Sequence, residues 1–346
     1  MKEIFDPGKL VRANIKAMKP YSSARDEFHG SAGVFLDANE NPYGRLNRYP
    51  DPYQWKLKEQ ISKLKGVPVE NIFLGNGSDE IIDLSFRIFC NPGNDKALTF
   101  SPTYGMYEVS AEANDIKIIK IPLNDQFQIR FNDIKPYLSD TSIKLIFICS
   151  PNNPTGNCIK RDVIERIIND FAGIVVIDEA YNDFSDEPSF RNQISEFPNL
   201  IVMQTFSKAF GMASVRVGMA FANKEIVRYY NKLKPPYNIS SINQAAVSKN
   251  IENGDRYKTQ VERIKSERKR INEELLKIPA VLKVFPSDSN FLLVRVNDPD
   301  TLYNMLVERS IIVRNRNSIV NGCLRITIGS KRENTKLLNA LKKINL

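Results

Sequence analysis

The sequence predicts a two-domain α/β protein: a large domain with a mostly parallel central sheet sandwiched by helices, and a smaller α+β domain. At 346 residues, with 42% hydrophobic residues, the chain is long for one domain and can bury a sizeable core. Short apolar runs, typical of strands buried on both faces, alternate with helical periodicity over the first two thirds of the chain. Beyond a proline pair at residues 235–236, a long charged segment leads into strands separated by short helices.

Charge and composition make several function classes improbable. The net charge is +9, but acids are interleaved with the basic residues of 256–283, which indicates a solvated helix face rather than a nucleic-acid surface. This balance would attract phosphorylated or dicarboxylate substrates. The chain lacks the run of about 18 apolar residues that a membrane helix needs, so we expect no membrane partner. His29 is the only histidine, which argues against histidine-ligated metals and against hydrolytic triads.

The cysteines and the N-terminus favour a cytoplasmic location. Cys90, Cys149, Cys158 and Cys323 are scattered without a C-x-x-C motif, as is typical of reduced thiols. Residues 1–7 also lack the apolar stretch of a signal peptide.

Residues 1–65 predict an N-terminal arm followed by the first helix of the large domain. We assign residues 1–40 to the arm and to part of the small domain. Within residues 34–44 we expect a short strand that runs into a polar turn. The proline-rich stretch 48–53 predicts an extended loop, and residues 54–65 show the apolar spacing of a helix.

Residues 71–80 predict a strand, a glycine turn and the start of a helix. The free N–H groups of such a helix start, at Ser78 and Asp79, favour an anion. An ordinary helix cap with a glycine turn is the alternative at this point. The dinucleotide fingerprint lacks its third glycine here, and no P-loop lysine follows.

The rest of the chain continues this alternation and then changes character. We assign 41–240 to the large domain, with strands at 97–100, 116–121, 145–149, 174–177, 200–203 and 217–221 and helices at 103–113, 159–171 and 224–234. Residues 241–346 form the smaller domain, which begins with a long charged helix over about 240–277 and has strands at 281–286, 291–296 and 323–328 and helices at 300–310 and 331–344.

Polar loops follow three successive strands of the predicted sheet. They start at Ser150, Asp178 and Thr205. Because ligands bind at the carboxyl ends of parallel strands, we expect these loops to converge on one crevice. In the third loop, Lys208 lies near Arg216 and apolar neighbours, which should lower its pKa and suit Schiff-base chemistry. The hydroxyls and the guanidinium of this segment are natural anion ligands.

Together these motifs resemble a known family over nearly the whole chain. Asn-Pro-Thr-Gly at 153–156, Asp-Glu-Ala-Tyr at 178–181 and Ser-Lys at 207–208, with an arginine eight residues further on, resemble the fold-type-I aminotransferases that use pyridoxal phosphate (PLP). Pro-Tyr at 20–21, Asn-Glu-Asn-Pro at 39–42 and Arg-Tyr-Pro at 48–50 resemble the histidinol-phosphate branch of that family.

The resemblance implies PLP as the cofactor and a role for each matching residue. Lys208 is similar to the lysine of the internal aldimine, and Asp178 to the carboxylate that keeps the pyridine nitrogen protonated. Tyr181 and Asn153 match the residues that bond the ring phenolate oxygen, and Tyr104 the ring that stacks on PLP. The cofactor phosphate would be held by Gly77, Ser78, Asp79, Thr205, Ser207 and Arg216, and by Tyr49 of a second subunit in a homodimer.

The same resemblance implies the substrate ligands and the reaction. Arg325 matches the arginine that clamps the substrate anion, and the other implied substrate ligands are Tyr21, Asn39, Asn153 and Arg314. Whether Arg314 or Arg316 faces the substrate stays open. The implied reaction is amino transfer between L-histidinol phosphate and 2-oxoglutarate, giving imidazole-acetol phosphate and L-glutamate, in histidine biosynthesis. A threonine-phosphate decarboxylase or an aromatic amino-acid aminotransferase on the same scaffold remains an alternative.

Overall fold

The structure is a computed structural model that describes residues 6–21 and 33–344. His29, whose role the sequence leaves open, lies outside these residues. Within the described ranges, none of the helices is long and apolar enough to cross a membrane, and no cluster of potential metal ligands occurs.

A seven-stranded sheet forms the centre of the large domain, as predicted. Its strands are β1 (Ile72–Asn76), β2 (Lys96–Ser101), β3 (Lys117–Pro122), β4 (Ile143–Cys149), β5 (Ile174–Asp178), β6 (Leu200–Thr205) and β7 (Val217–Ala222), in the order β1-β7-β6-β5-β4-β2-β3. Strands β3, β2, β4, β5 and β6 pair in parallel, and β7 is antiparallel to both of its neighbours. In the register, Asp178 is opposite Cys149 and Met203, so β4, β5 and β6 end together at one edge.

Helices cover both faces of this sheet. They are α1 (Ala13–Ala17), α2 (Trp55–Lys65), α3 (Gly77–Phe89), α4 (Met106–Ala113), α5 (Phe131–Ile134), α6 (Arg161–Asp170) and α7 (Lys224–Leu233). Along β5, Val175 and Ile177 belong to one apolar cluster and Val176 to another, because successive side chains point to opposite faces. Every residue of β5 is buried, as expected for a sheet between two helical layers.

A smaller antiparallel sheet with its own core forms the C-terminal part. Its strands are β8 (Val281–Val284), β9 (Phe291–Val296), β10 (Arg314–Asn315) and β11 (Cys323–Thr327), in the order β10-β11-β9-β8. Two helices precede it, α8 (Ser241–Glu252), whose Val247 packs in a core of the large sheet, and α9 (Arg256–Leu275); the others are α10 (Pro299–Glu308) and α11 (Lys331–Leu341). Helix α9 joins the two parts, since Val261 packs in a core of the large sheet and Ile271 in that of the small sheet. We propose 41–240 and 241–346 as the two domains.

Three local expectations were wrong or incomplete. Residues 33–44 contain no strand, and Val34 and Leu36 are 89% and 90% exposed, because no neighbouring strand pairs with them. The single helix expected over 240–277 is divided into α8 and α9 at Gly254, whose φ of +63° ends the first helix. The short strand β10 was not predicted, since two residues are too few to show a period.

Candidate active site at the carboxyl edge of the large sheet

A cavity of about 370 Å³ opens where the parallel strands of the large sheet end. The small sheet supplies one of its walls. The structure brings twelve of the predicted residues to this cavity, namely Ser78, Asp79, Tyr104, Asn153, Asp178, Tyr181, Thr205, Ser207, Lys208, Arg216, Arg314 and Arg325. The three polar loops therefore converge on one crevice, as their positions at the strand ends require.

Asp178 ends β5 and is almost completely buried, with 3% of its surface exposed. Its Oδ1 accepts the backbone N–H of Ala180 at 3.0 Å, and its Oδ2 accepts the Tyr107 hydroxyl at 2.7 Å. Burial raises the pKa of Asp178, and these two donors and the Lys208 charge oppose that rise. The cavity thus holds a buried carboxylate that a further cationic or N–H partner would stabilise.

Lys208 lies in the turn that follows β6, with its Nζ 5.6 Å from the centre of the Tyr181 ring. Burial lowers the pKa of Lys208, and the Arg325 charge, followed by that of Arg216, lowers it further. A larger fraction of this amine is therefore neutral at a given pH than for an isolated lysine, although the residue remains accessible to solvent. A neutral amine is the form that attacks carbonyl groups and accepts protons.

Hydrogen-bond donors that could bind an anion line another part of the cavity, around Thr205, Ser207 and Arg216. The Thr205 hydroxyl donates to Ser207 Oγ at 3.0 Å, and the Ser207 N–H donates to Thr205 Oγ1 at 3.1 Å. Arg216 enters from the start of β7, and its Nη2 lies 2.9 Å from Asp79 Oδ2. The first turn of α3 adds N–H groups that have no acceptor within the helix.

Gly77 allows the close approach of Arg216 to the start of α3. A Cβ at Gly77 would lie 2.3 Å from Arg216 Nη2, and its φ of +73° disfavours other residues. Gly218 has a similar function, because a Cβ there would lie 2.5 Å from the Ser78 nitrogen. Gly77 contributes this shape without being part of the cavity lining itself.

A hydrogen-bonded chain connects the small sheet to the cavity floor. Arg325 Nη1 donates to Asn153 Oδ1 at 2.5 Å, and Asn153 Nδ2 donates to the Tyr181 hydroxyl at 3.4 Å. Burial raises the pKa of Tyr181, so its hydroxyl is retained as a donor. These hydrogen bonds therefore link β11 to the Tyr181 side chain, whose ring faces Lys208.

Arg314, Arg316 and Arg325 form what we call the arginine wall. Arg314 and Arg325 are Cα partners across β10 and β11, and all three side chains line the cavity. The Nε atoms of Arg316 and Arg325 are buried and have no hydrogen-bond partner among the described residues. Burial lowers the pKa of Arg316, and the charges of Arg325 and Arg314 lower it further. Both Arg314 and Arg316 thus face the cavity, which the sequence had left open.

No described carboxylate of the lining neutralises this wall. The lining contains two acids: Asp79, which is paired with Arg216, and Asp178, which accepts from Tyr107 and Ala180. The wall is therefore an incomplete anion site with the geometry to accept a carboxylate or a phosphate.

Besides Gly77, three predicted residues lie outside the cavity of this chain. Tyr21 is 68% exposed and does not line it. Tyr49 is half exposed and stacks on Tyr237, with 4.5 Å between ring centres. Asn39 and Tyr49 line a separate hollow that also includes Ile242.

Sequence reasoning missed Tyr107 and Cys149, and it left Arg316 undecided. Tyr107 is fully buried behind Asp178, and Cys149 lines the cavity as the last residue of β4. A signal for Tyr107 was present, because it follows Tyr104 by three residues at the start of a predicted helix. Nothing in the local sequence of Cys149 distinguishes it from a packing residue.

Comparisons with known proteins agree with this geometry. The family model described as aminotransferase class I and II matches residues 33–341. A curated histidinol-phosphate aminotransferase of Bacteroides fragilis is 52% identical over 339 residues, which cover 97% of this chain and 98% of the relative. One of Parabacteroides distasonis is 52% identical over 351 residues, covering 100% of both chains.

Solved structures show the same fold. The histidinol-phosphate aminotransferase of Clostridium acetobutylicum has a TM-score of 0.78 and 29% identity, covering 88% of this chain and 97% of that chain. That of Sinorhizobium meliloti, solved in complex with pyridoxal-5'-phosphate, has a TM-score of 0.77 and 21% identity, covering 86% of this chain and 82% of that chain. A matching family model, full-length relatives and the converging motif residues together lead to one conclusion: the chain belongs to the class I and II aminotransferases, and within them to the histidinol-phosphate aminotransferases.

Proposed function

We propose that this aminotransferase transfers the amino group between L-histidinol phosphate and 2-oxoglutarate, with PLP as its cofactor. The observation that carries the proposal is the pairing of two features in one cavity. A lysine with a lowered pKa lies beside a buried carboxylate, and an arginine wall without acid partners faces both. The first feature suits amine chemistry on a cofactor, and the second suits a substrate that carries a phosphate.

The residues present fit PLP in both chemistry and shape. Asp178 offers a buried carboxylate to a pyridine nitrogen, and its raised pKa indicates that the charge lacks a sufficient partner. Because Gly77 has no side chain, Arg216 lies close to the start of α3, where its guanidinium and the helix N–H groups can donate to a phosphate. The hydroxyls of Thr205 and Ser207 add further donors. In this assignment Tyr104 would stack on the ring, and Asn153 and Tyr181 would bond its phenolate oxygen.

Lys208 would perform the proton transfers. Bound PLP supplies an electron sink for the charge that develops on the amine-bearing carbon of the substrate. The Lys208 amine accepts the proton from that carbon and donates it again later, as general base and then general acid. Its lowered pKa favours the neutral form that the first transfer requires.

The arginine wall would bind the anionic ends of both substrates. L-Histidinol phosphate presents a phosphate, and glutamate presents carboxylates, so one cationic wall serves both in turn. Arg316 and Arg325 each keep a buried Nε without a partner, and a bound anion would satisfy these donors.

We also propose that the enzyme is a homodimer in which Tyr49 completes the partner's site. The support is that Tyr49 lies outside the cavity of its own chain, in a hollow bordered by exposed apolar residues such as Leu46 (71%) and Ile242 (56%). Mixing Lys208→Ala with Tyr49→Ala subunits should restore activity, because half of the sites formed in mixed dimers would be intact. No recovery, in a preparation shown by mass spectrometry to contain mixed dimers, would argue against this role.

The four cysteines support a cytoplasmic location for the enzyme. Cys90, Cys149, Cys158 and Cys323 are all free thiols, as is usual in a reducing compartment.

The decisive experiment compares three amines on the PLP-loaded protein. L-Histidinol phosphate with 2-oxoglutarate should give glutamate with a kcat/KM at least about 100-fold above that for L-phenylalanine, because only the former brings a phosphate to the arginine wall. L-Threonine phosphate tests the decarboxylase alternative, with release of carbon dioxide as its readout. A preference for either alternative substrate would overturn the proposed specificity and leave the family assignment intact.

A further inference from the structure

Tyr107 lies directly behind Asp178 and contacts no open part of the cavity. Its side chain is fully buried, and its hydroxyl donates to Asp178 Oδ2 at 2.7 Å. Burial and the neighbouring Asp178 charge raise the pKa of Tyr107, so this hydroxyl remains a donor over the working pH range. The other oxygen of Asp178 is occupied by the Ala180 N–H. Two donors on two oxygens favour the ionised carboxylate in one fixed orientation.

The ring of Tyr107 also packs against two other aromatic rings. It stacks on Phe147 of β4 with 5.0 Å between ring centres and 20° between planes. Tyr104 meets it edge to face at 5.6 Å and 85°. Tyr107 therefore contacts both the residue proposed to pair with the pyridine nitrogen and the residue proposed to stack on the ring.

We propose that Tyr107 is a positioning residue for the cofactor: its hydroxyl fixes the orientation and ionisation of Asp178, and its ring supports Tyr104. This inference rests on the proposed use of PLP and assigns a role to a residue that does not touch the cofactor or the substrate. The hydroxyl and the ring make separable contributions, because Tyr107→Phe removes only the former.

Several titratable groups surround this pair. Those facing Asp178 and the Tyr107 hydroxyl are Cys149 from β4, Lys208 after β6, Asp79 from α3, Tyr104, and Tyr181 after β5. None of the other groups in this set forms a hydrogen bond with Asp178 among the described contacts, so Tyr107 is the side chain whose loss acts on it directly. Removing this donor should raise the pKa of Asp178 further, because the carboxylate form loses a stabilising partner.

The test uses a matched pair of variants, Tyr107→Phe and Tyr230→Phe. Tyr230 is also a fully buried tyrosine, its hydroxyl bonds to Ser85, and its ring packs on Phe73 at 4.9 Å, away from the cavity. Both variants lose one buried hydroxyl and keep the ring. The dissociation constant of PLP from each apoprotein is measured as a function of pH, and thermal unfolding is followed alongside.

Tyr107→Phe should weaken PLP binding by roughly 10- to 100-fold, the range for one hydrogen bond to a charged group. The pH below which binding weakens should move upward, since protonation of Asp178 then occurs at higher pH. Tyr230→Phe should leave both quantities unchanged although it loses a comparable buried contact. Equal PLP affinity and equal pH profiles in the two variants would overturn the role of Tyr107.

This experiment distinguishes a failure of the role proposed for Tyr107 from a failure of the proposed function. If the parent protein binds PLP but does not act on L-histidinol phosphate, the substrate assignment fails and the comparison of the two variants still decides the role of Tyr107. If the parent protein does not bind PLP, both proposals fall.

Discussion

The two sides of the cavity are built in different ways. On the sheet side, formed by the ends of β5 and β6 and the turn that follows β6, polar groups bond to each other: Asp178 accepts two donors, and Thr205 and Ser207 bond to one another. On the arginine wall, three cations lie together, and two of them keep a buried Nε without a partner. The sheet side is held in a fixed arrangement before anything binds, although Asp178 would still be stabilised by a further partner, whereas the wall requires an anion.

We expect the sheet side to determine the reaction rate and the arginine wall to determine which substrate binds. Preformed hydrogen bonds hold a reactive group in place and cost no reorganisation when the reaction occurs. Neighbouring guanidinium groups repel each other, and the pKa of Arg316 is lowered partly by the charges of Arg325 and Arg314. An anion that enters relieves this repulsion. Changes on the sheet side should therefore reduce the rate, and changes on the wall should mainly reduce substrate affinity.

Lys208→Ala should have the largest effect. Loss of the proton-transferring amine should lower the transamination rate by about 10³-fold or more. The long-wavelength absorbance of the PLP-loaded protein should also move to the shorter wavelength of the free aldehyde, because no side-chain amine remains at this position to bind the cofactor covalently. Lys258→Ala, which alters an exposed lysine of α9, serves as the control. A near-parental rate in Lys208→Ala would remove this residue from the mechanism, and partial rescue by added methylamine would strengthen its assignment.

Asp178→Asn should lower the rate by about 10²- to 10³-fold, since the shape is kept and the charge is lost. The pH dependence of folding stability should also differ between Asp178→Asn and the parent protein. The folded-state pKa of Asp178 is raised, so the folded protein binds more protons than the unfolded chain above the ordinary carboxyl pKa, and stability falls as pH rises through that window. In urea unfolding, the apoprotein of Asp178→Asn should lose less unfolding free energy than the parent as pH rises above about 4, the ordinary pKa of a carboxyl group. An unchanged pH dependence would contradict burial as the cause.

The sheet side was largely predictable from the sequence, and the wall was less so. Asp178 and Thr205 end apolar strands, Lys208 comes three residues after Thr205, and the carboxyl ends of parallel strands must meet at one edge. For that reason local motifs were sufficient to bring them together. Tyr107 was missed as a functional residue because its role depends on a contact between α4 and β5, residues 71 positions apart.

The wall depends on strand register that no local pattern reveals. Arg314 and Arg316 are separated by one residue, which in a regular strand would point them to the same face. The strand β10 is only two residues long, too short for that pattern to be read from the sequence. Pairing with β11 and the following turn then direct both side chains to the cavity. Tyr49 could not be placed from one chain at all, since its proposed site lies in a second subunit.

Arg316→Gln and Arg314→Gln test whether both arginines bind the substrate phosphate. Each should raise the KM for L-histidinol phosphate by about 10-fold or more, with a smaller change in kcat, because a charge-assisted contact to the bound substrate is lost. Arg332→Gln alters an exposed arginine of α11 and should leave KM unchanged. If only Arg314→Gln raises KM, the phosphate binds without Arg316, and the buried Nε of Arg316 has another explanation.

Arg325→Met tests whether the arginine wall also changes the pKa of Lys208 on the sheet side. We expect this effect to be smaller than those of the preceding variants. After burial, the Arg325 charge is the largest cause that lowers the pKa of Lys208. Removing it should raise the pKa of Lys208 toward its ordinary value, so a smaller fraction of the amine is neutral at a given pH. Acetylation of Lys208 in the apoprotein by acetic anhydride, followed by peptide mass spectrometry, should then require higher pH.

Arg314→Gln provides the comparison for this experiment, because it removes a wall cation that is not among the causes of the Lys208 shift. Its acetylation profile should match that of the parent. A displaced profile in Arg325→Met alone would show that an arginine of the wall lowers the pKa of the Lys208 amine. Identical profiles in all three proteins would leave burial and the sheet-side charges, such as Arg216, as the causes, and the arginine wall would then not act on Lys208.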